Sequence, residues 1–463
     1  MVSTMEKYDA AVIGGGPAGY VAAIKVAQMN GRVVLFEKDT VGGTCLNRGC
    51  IPTKTYLKTA EYIHHIRSAE QRGIQLASSD FTLDMEAVLA GKNQVVKTLT
   101  SGVAGLLSSN RVVTVKGMAS LTPERTVVCE GVEYDAKNII ICGGSKVGTL
   151  PIPGMEDNPE VITSDGILDM TVIPKRLAVI GGGVIGCEMA TVFAAFGSEV
   201  TIIELTDRLV PAMDAEISDS LKKSLERQGV RVLLSHKVAR IDGTLVFFEG
   251  EENPVEADKI LLSIGRVADL ECLGGLKDTI DIEHGYVKAD RFMRTNVPGI
   301  YAAGDITGLS MLAHAAFKMG EVAAANAMGH EIECDLSKVP GCLYTLPEAA
   351  SVGLTEAEAR KKHEISVGRF PFSANGRALA SGEPDGFVKV LAEKKYGEIL
   401  GVHIFGGMAT ETIAEAVALM SMEITVHEAA DMIHAHPTYS EAFMEACADA
   451  LGCCIHLPPK KIK

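Results

Sequence analysis

The stretch Ala11-Val12-Ile13-Gly14-Gly15-Gly16 occurs twice in this chain, since residues 178–183 repeat it letter for letter. In each copy an apolar run is followed by three glycines, which is typical of a buried strand that ends in a tight turn. A glycine run alone is also compatible with an ordinary strand–helix turn. The same offset of 167 residues, however, also aligns a further glycine and a distant acid of the two copies: Gly19 with Gly186, and Glu37 with Glu204.

Each copy therefore has the spacing G-x-G-x-x-G between a predicted strand and a predicted helix, with an acid about 20 residues farther on. The glycines let a pyrophosphate approach the N-terminus of the helix, and the acid accepts a hydrogen bond from a ribose hydroxyl. The sequence predicts two dinucleotide sites. At the second site Glu204 would repel a 2′-phosphate and only Arg208 follows as a basic residue, so this site is expected to prefer NAD to NADP.

Residues 42–54 read Gly-Gly-Thr-Cys-Leu-Asn-Arg-Gly-Cys-Ile-Pro-Thr-Lys, with thiols at Cys45 and Cys50. A disulfide needs Cα atoms about 4.4–6.8 Å apart. Five residues rise about 7.5 Å in a helix and about 17 Å in a strand, so a bridge requires bent backbone. Gly49 and Pro52 favour such a bent loop at the start of a helix. The spacing alone leaves two unrelated thiols as an equal alternative.

This segment resembles the active-site segment of the pyridine-nucleotide disulfide oxidoreductases, and its Cys-Leu-Asn form is most similar to the dihydrolipoamide dehydrogenase branch. Residues 295–305 resemble the second flavin motif of that family, which ends in Gly-Asp. The resemblance covers most of the chain, from Asp9 to about Leu457. It implies that Cys45 and Cys50 form a redox-active disulfide.

The resemblance implies an α/β fold with two Rossmann-like dinucleotide-binding domains, one for FAD and one for NAD, followed by a C-terminal α+β dimerisation domain. The FAD domain is expected to be interrupted by the NAD domain. The expected boundaries are 1–149 for the first part of the FAD domain, 150–275 for the NAD domain, 276–340 for the return to the FAD domain, and 341–463 for the dimerisation domain.

The family pattern also assigns contacts residue by residue. FAD is expected to contact Gly14, Gly16, Gly19, Glu37, Gly43, Thr44, Lys54, Gly117, Asp305 and Ala313. NAD is expected to contact Gly181, Gly183, Gly186, Glu188, Glu204, Val238 and Gly265, although Val238 is equally compatible with an ordinary core valine. Lys54 is expected near the reactive nitrogen of the flavin, with Glu188 as its ion-pair partner, and no metal site is expected.

Catalysis also needs a base, because a dithiol attacks a disulfide only as thiolate and an ordinary thiol has a pKa of about 8.5. Histidine titrates near neutrality, and a carboxylate on its second nitrogen fixes its orientation. His436 and Glu441 match the family's His-Pro-Thr-x-Ser-Glu pattern. The implied catalytic set is Cys45, Cys50, His436 and Glu441, with the base reaching the cysteines of a second subunit. His434 and His314 are expected to be structural.

Two places depart from the family pattern. Cys142-Gly143 stands where the family usually has Ala-Thr, and Val267-Ala268-Asp269 stands where it usually has x-Pro-Asn. Cys453-Cys454 near the C-terminus resembles the second pair of mercuric reductases, but we interpret these residues as the end of a helix, with metal or redox work as the alternative.

The expected function is the oxidation of protein-bound dihydrolipoamide with reduction of NAD. The expected partner is a lipoyl-bearing protein, either the acyltransferase of a 2-oxo acid dehydrogenase complex or the H protein of the glycine cleavage system, and the expected state is a homodimer. The alternatives are a glutathione-type or mercuric reductase, or a nucleotide-binding scaffold without activity.

Composition supports this class. The chain has 463 residues, 44 basic and 59 acidic side chains and a net charge of −15, which disfavours binding to nucleic acid and to anionic membranes. No apolar run reaches membrane-span length, and the N-terminus lacks the layout of a secretion signal. Eleven scattered cysteines fit a reducing compartment. We expect a cytoplasmic protein, or a matrix protein if a leader has been removed.

Overall fold

The computed structural model describes residues 7–76, 81–250 and 252–459. Residues 1–6, on which the expectation about a secretion signal depends, lie outside the described residues. The first unit contains β1 (Lys7–Ile13), α1 (Pro17–Gln28), β2 (Val33–Glu37), α2 (Gly43–Arg48), α3 (Cys50–Ser68), α4 (Met85–Ser109), β3 (Val113–Lys116), β4 (Ala119–Leu121), β5 (Val127–Cys129), β6 (Val132–Ile141) and β7 (Ser145–Val147).

The second unit contains β8 (Val161–Thr163), α5 (Ser164–Ile167), β9 (Arg176–Ile180), α6 (Val184–Phe196), β10 (Glu199–Ile203), α7 (Ala215–Arg227), β11 (Arg231–Leu233), β12 (Val238–Asp242), β13 (Leu245–Phe248), β14 (Val255–Glu256), β15 (Lys259–Leu262) and β16 (Arg266–Ala268). The following segment contains β17 (Ile282–Glu283), β18 (Tyr286–Val287), β19 (Ile300–Ala302) and α8 (Ala313–Ala327).

The repeat in the sequence is a repeat in topology. In the first unit the parallel strands are ordered β3-β2-β1-β6-β19, and in the second β11-β10-β9-β15-β8. The buried ends of β1 (residues 10–13) and β9 (residues 177–180) are continuous apolar runs because both faces of a parallel sheet are covered. In both units the helix begins directly after the run of three consecutive glycines, at Pro17 and at Val184. The predicted pair of Rossmann-like units is confirmed.

The strand β19 pairs with β6, so residues 300–302 return to the first sheet after the second unit. This pairing places the turn after β19 at the same sheet edge as the glycine turn after β1. Asp305 lies in that turn, where the carboxyl ends of parallel strands form a ligand site.

The C-terminal unit contains β20 (Gly341–Leu343), β21 (Glu348–Gly353), α9 (Glu356–Lys362), β22 (Ile365–Pro371), α10 (Gly376–Ser381), β23 (Phe387–Glu393), β24 (Ile399–Gly406), α11 (Ala409–Ser421), α12 (Val426–Asp431) and α13 (Glu441–Ala450). Its antiparallel sheet has the order β20-β21-β24-β23-β22. The predicted β23–β24 hairpin and the predicted capping box between Thr425 and Glu428 are both present.

One of the buried apolar clusters extends through all three units. Tyr56 and Leu57 on α3 belong to the same buried cluster as Phe193 on α6, and this cluster continues to Leu343 and Phe405 in the C-terminal unit. The active-site helix α3 is therefore fixed by packing against both other units. Within the described residues, no helix is long and apolar enough to cross a membrane.

A buried lysine also joins the second and the C-terminal unit. Lys389 on β23 is 1% exposed and lies 2.9 Å from Asp214, which caps α7 and is 2% exposed. Its ammonium also contacts Glu356 at 2.6 Å and Glu216 at 3.1 Å. A buried cation with several carboxylate partners is well compensated, whereas the same carboxylates without it are not.

We expect Lys389→Met to destabilise the protein by about 3–5 kcal/mol, because Asp214 would keep a buried charge without its partner. The measurement is thermal unfolding followed by circular dichroism. The exposed Lys97→Met is the matched control and should leave the unfolding midpoint unchanged. An unchanged unfolding midpoint in Lys389→Met would show that this charged cluster does not stabilise the contact between the second and the C-terminal unit.

Candidate active site

The two cysteines of residues 42–54 lie on either side of a one-residue break between helices. Helix α2 ends at Arg48 and α3 begins at Cys50, so only Gly49 separates them. Gly49 has φ −137° and ψ −110°, outside the helical region, and a Cβ on it would lie 3.0 Å from the carbonyl oxygen of Thr44. The predicted loop is thus wrong in detail, because the segment is a short helix and the bend is this break.

Cys45 and Cys50 are thiols in this structure and are not joined by a disulfide, and their side chains share a hydrogen bond. That hydrogen bond, together with burial, raises the pKa of Cys45. The same bond lowers the pKa of Cys50 to about 7, with help from Lys54 and against the effect of burial. These two shifts have the direction in which Cys50 ionises before Cys45.

Lys54 lies one turn farther along α3 and forms the predicted ion pair with Glu188 on α6. The distances from Nζ to the two carboxylate oxygens are 2.8 and 2.9 Å, and the Glu188 side chain is 3% exposed. The Nζ atom also lies 4.4 Å from the ring centroid of Tyr344, a residue that the sequence did not single out. This pair therefore links the first unit to the second beside the thiols.

The first glycine turn excludes a side chain at Gly14 and leaves room at Gly16. Gly14 has φ +100°, and a Cβ on it would lie 2.2 Å from the carbonyl oxygen of Cys142. Gly16 caps α1, and a Cβ on it would meet nothing closer than the Cα of Gly43, at 3.7 Å. Glu37 accepts a 2.7 Å hydrogen bond from the amide of Gly15, which places its carboxylate at this turn.

The second turn repeats this geometry. Gly181 has φ +109°, and a Cβ on it would lie 2.5 Å from the carbonyl oxygen of Ser263. No described atom lies within 4 Å of a Cβ built on Gly183, the N-cap of α6. The space in front of this helix N-terminus suits a phosphate. Glu204 is 8% exposed and accepts a 2.6 Å hydrogen bond from the amide of Gly182.

Gly19 and Gly186 are not among the residues that line the cavity, and their expected contacts with FAD and NAD stay predictions. A Cβ on Gly19 would lie 1.8 Å from the carbonyl oxygen of Gly14, and one on Gly186 would lie 2.0 Å from that of Gly181. Both glycines are therefore required for close packing of the helix on its own turn.

One continuous cavity of 1910 Å³ connects both turns with the thiols. This volume is nearly twice the roughly 1,000 Å³ at the upper end for a single small-molecule site, and it fits two dinucleotides. The other expected contact residues all line it: Gly14, Gly16, Glu37, Gly43, Thr44, Lys54, Gly117, Asp305 and Ala313 on the flavin side, and Gly181, Gly183, Glu188, Glu204, Val238 and Gly265 on the nicotinamide side. Their individual contacts stay predictions.

A hydrogen-bonded chain that the sequence did not predict crosses the cavity wall. Asp305 accepts a 2.6 Å hydrogen bond from the hydroxyl of Ser145, which itself accepts one of 2.7 Å from Arg266. Arg266 also reaches Thr44 at 3.4 Å, next to the first thiol. The sequence motifs include Thr44 and Asp305, but only the fold joins them through Ser145 and Arg266.

The two departures from the family pattern are in contact with each other. A Cβ on Gly143 would lie 2.7 Å from the sulfur of Cys272 and 3.0 Å from the carbonyl oxygen of Asp269. A glycine is therefore needed at this position. Asp269 also forms a 3.0 Å ion pair with Lys38, the residue after Glu37. The two segments that depart from the family pattern therefore pack against each other in the wall of the cavity, through Gly143 and Asp269.

Arg208, the basic residue that follows Glu204, is not among the described residues that line the cavity. Arg208 is paired with Asp207 at 3.1 Å, whereas Lys237, which does line the cavity, is paired with Glu249 at 2.6 Å. Neither cation is positioned as a free partner for a 2′-phosphate. This arrangement supports the expected preference for NAD.

His436 and Glu441 form the predicted pair. The Nδ1 atom of His436 lies 2.8 Å from Oε1 of Glu441, whose other oxygen accepts from the amide of Thr438 at 2.7 Å. Burial opposes the ionisation of Glu441, but these two contacts lower its pKa. The His436 side chain is 77% exposed and does not line the cavity of its own chain. Within one chain the base and the thiols are therefore separate.

Other candidates have structural partners. His434 lies 2.6 Å from Glu415, and His314 lies 2.9 Å from the carbonyl oxygen of Pro340. Cys453 and Cys454 follow the end of α13, as interpreted from the sequence, and Cys454 hydrogen bonds to Glu445 at 2.9 Å. Across residues 7–76, 81–250 and 252–459, no group of three or more His, Cys, Asp or Glu side chains is arranged to hold a metal ion.

Comparison with known families agrees with this geometry. Residues 8–320 match the model of the pyridine nucleotide-disulphide oxidoreductases, and residues 339–447 match the dimerisation domain of the same family. The chain belongs to this family.

Relatives within the family cover almost the whole chain. The dihydrolipoyl dehydrogenase of Bacillus subtilis is 41% identical over 96% of this chain and 99% of its own length. That of Thermus scotoductus is 42% identical over 96% and 98%. Among solved structures, LpdA from Mycobacterium tuberculosis has a TM-score of 0.88 at 28% identity over 95% and 98%, and the flavoprotein disulfide reductase RclA from Escherichia coli has 0.86 at 28% over 96% and 99%. The cofactors of this oxidoreductase family are FAD and NAD.

The ionisation order of the dithiol can be measured. We expect Cys50 to become a thiolate as the pH rises through about 7, whereas Cys45 stays protonated. Alkylation of the reduced protein at a series of pH values, with mass spectrometric assignment of the modified cysteine, gives both midpoints. In Cys45→Ala the Cys50 sulfur has no hydrogen bond from position 45, and the Cys50 midpoint should rise. An equal or lower midpoint for Cys45 would contradict this order.

Proposed function

We propose that this protein is an NAD-linked flavoprotein that oxidises protein-bound dihydrolipoamide to lipoamide. The observation that carries the proposal is the dithiol of Cys45 and Cys50, because its lower-pKa sulfur lies beside Lys54 in a cavity that extends to both glycine turns. Relatives named dihydrolipoyl dehydrogenase, about 40% identical along the chain, support the choice of substrate.

The proposed exchange conserves electrons and protons. A thiolate of the substrate attacks the sulfur of Cys45 in the oxidised pair, a mixed disulfide forms, and Cys50 leaves as a thiolate. The second substrate thiol then displaces Cys45 and its proton passes to the Cys45 sulfur, which leaves oxidised lipoamide, the Cys45 thiol and the Cys50 thiolate. His436 accepts the substrate proton at the nitrogen that does not face Glu441.

The chain's own residues prepare the return of the pair to its disulfide. FAD, when bound, supplies a two-electron acceptor for the dithiol and a hydride donor for NAD. The glycine turns and the helix N-termini of α1 and α6 would hold the two pyrophosphates. Lys54 stabilises negative charge on the Cys50 side of the cavity, and Glu188 keeps the ammonium in place.

The proposed partners are a second copy of this chain and a lipoyl-bearing protein. A homodimer is supported by the matched dimerisation domain and by the exposed position of His436, which is remote from the cavity of its own chain. In such a dimer each site would combine the thiols of one subunit with the base of the other. The lipoyl group would arrive on the acyltransferase or the H protein expected from the sequence. A cytoplasmic location stays a prediction.

The substrate assignment is tested by Cys45→Ser. We expect its oxidation of dihydrolipoamide with NAD to fall by ~10³-fold or more, because the sulfur that the substrate attacks is gone. Reduction of an artificial dye by NADH should persist, since it needs only the two nucleotide sites. NADP assayed in parallel should be the poorer coenzyme. Loss of flavin or of dye reduction in the variant would contradict the roles given to the cysteine pair, and full lipoamide activity would exclude it.

Shared sites are tested by mixed dimers of Cys45→Ser and His436→Gln subunits, isolated with two different affinity tags or assayed as a statistical mixture. Each homodimer should be inactive. A statistical mixture should recover about a quarter of the wild-type rate, because half of its dimers have one intact site. No recovery would place the base and the thiols in the same subunit.

A further inference from the structure

Three parts of the chain meet at the ammonium group of Lys54. The lysine is on α3 of the first unit, Glu188 is on α6 of the second, and Tyr344 follows β20 in the C-terminal unit. The sequence motifs explain the first two residues only. The proposed reaction therefore gives no role to Tyr344, although this residue contacts Lys54.

Tyr344 contacts both members of the ion pair. Its ring centroid lies 4.4 Å from Nζ of Lys54, within the range of a cation–π interaction. Its backbone amide donates a 3.0 Å hydrogen bond to Oε1 of Glu188. Burial, reinforced by Cys342 and nearby carboxylates, raises the pKa of the Tyr344 hydroxyl to about 12, so the ring is a neutral phenol at working pH.

The segment that carries the ring is rigidly placed. Leu343 is fully buried in the core shared by the three units, and Thr345 is 1% exposed and donates to the carbonyl oxygen of Pro347 at 2.7 Å. Tyr344 thus presents its ring from a fixed position. The long and otherwise flexible Lys54 side chain is confined between this ring and the Glu188 carboxylate.

We propose that Tyr344 is a positioning residue: its ring and amide hold the Lys54–Glu188 pair where the ammonium acts on the sulfur of Cys50. The inference rests on the proposed function, because it gives Lys54 the role of stabilising the Cys50 thiolate. It adds that the C-terminal unit helps to set the acidity of a thiol in the first unit.

The charged groups around the Cys50 sulfur determine how strongly the Tyr344 ring can affect the pKa of Cys50. The ionisable neighbours of the Cys50 sulfur are Cys45 on α2, Lys54 on α3, Glu188 on α6 and Arg266 on β16. Glu188 opposes the thiolate and Lys54 favours it. Without the ring, Lys54 has fewer restraints, its distance from the sulfur varies more, and the pKa of Cys50 is expected to rise.

The test uses flavin-loaded protein reduced anaerobically with dihydrolipoamide. A thiolate next to flavin gives a long-wavelength absorption band, and its pH dependence reports the pKa of Cys50. We expect Tyr344→Phe to keep the wild-type midpoint because the ring remains. Tyr344→Leu should raise the midpoint by about half a pH unit or more, because the ring and its contact with the ammonium are removed while the backbone amide bond to Glu188 remains. It should also lower kcat for dihydrolipoamide more than it changes KM.

A double-mutant cycle separates positioning from packing. Lys54→Met should raise the midpoint by itself, and adding Tyr344→Leu to it should produce no further shift, since the ring acts through the lysine. Tyr62→Leu is the matched control, because Tyr62 lies 5.2 Å from Lys58 on the same helix. If Tyr344→Leu does not retain flavin, Tyr344→Met provides a second apolar side chain for the same titration.

The outcomes are distinct. Equal midpoints for wild type and Tyr344→Leu, an equal shift for Tyr344→Phe and Tyr344→Leu, or an undiminished shift in the Lys54→Met background would each overturn the inference. The absence of the band in the wild-type protein would instead contradict the proposed function. The two failures can therefore be told apart in one set of spectra.

Discussion

A negative charge on the sulfur of Cys50 is stabilised by a hydrogen bond from Cys45 and by the ammonium of Lys54, against the effect of burial. The other parts of the structure serve this balance. The break at Gly49 brings the thiols together, Glu188 holds the lysine from the second unit, and Tyr344 closes the arrangement from the C-terminal unit. A thiol with a pKa near 7 is a good leaving group in disulfide exchange, so the balance is the basis of the chemistry.

The duplicated unit explains how such a pair can be connected to two nucleotides. Both glycine turns lie at the carboxyl ends of parallel strands and open into the same cavity. The first turn contacts the cysteine segment directly, since the amide of Gly42 donates to the carbonyl oxygen of Gly15 at 2.8 Å. The second contributes α6, which carries Glu188 two residues after Gly186. The same helix thus begins at the NAD turn and reaches the lysine.

The sequence predicted the fold well because its signals are local and periodic. The repeated glycine turns, the apolar strands and the capping box at Thr425 depend on neighbouring residues, and the structure confirms them. The Lys54–Glu188 pair was also predicted, but from the family resemblance and not from the residues themselves.

What the sequence did not predict depends on contacts between distant segments. Tyr344 and the chain from Asp305 through Ser145 to Arg266 are created by the packing of three units. The need for a glycine at position 143 is explained only by the structure, in which Cys272 packs directly against Gly143. The close packing of Gly19 and Gly186 against their own turns is also visible only in the structure, because a shared spacing does not show on which side of a turn a ligand lies.

The central claim is that Cys45 and Cys50 interconvert between a disulfide and the dithiol described here. The most direct measurement is peptide mass mapping after differential alkylation, on flavin-loaded protein before and after one equivalent of dihydrolipoamide under anaerobic conditions without NAD. The account predicts a Cys45–Cys50 bridge before the addition and two alkylated cysteines after it, with the other nine cysteines unchanged. Free thiols at both positions in the air-oxidised protein, or a bridge that dihydrolipoamide does not open, would contradict it.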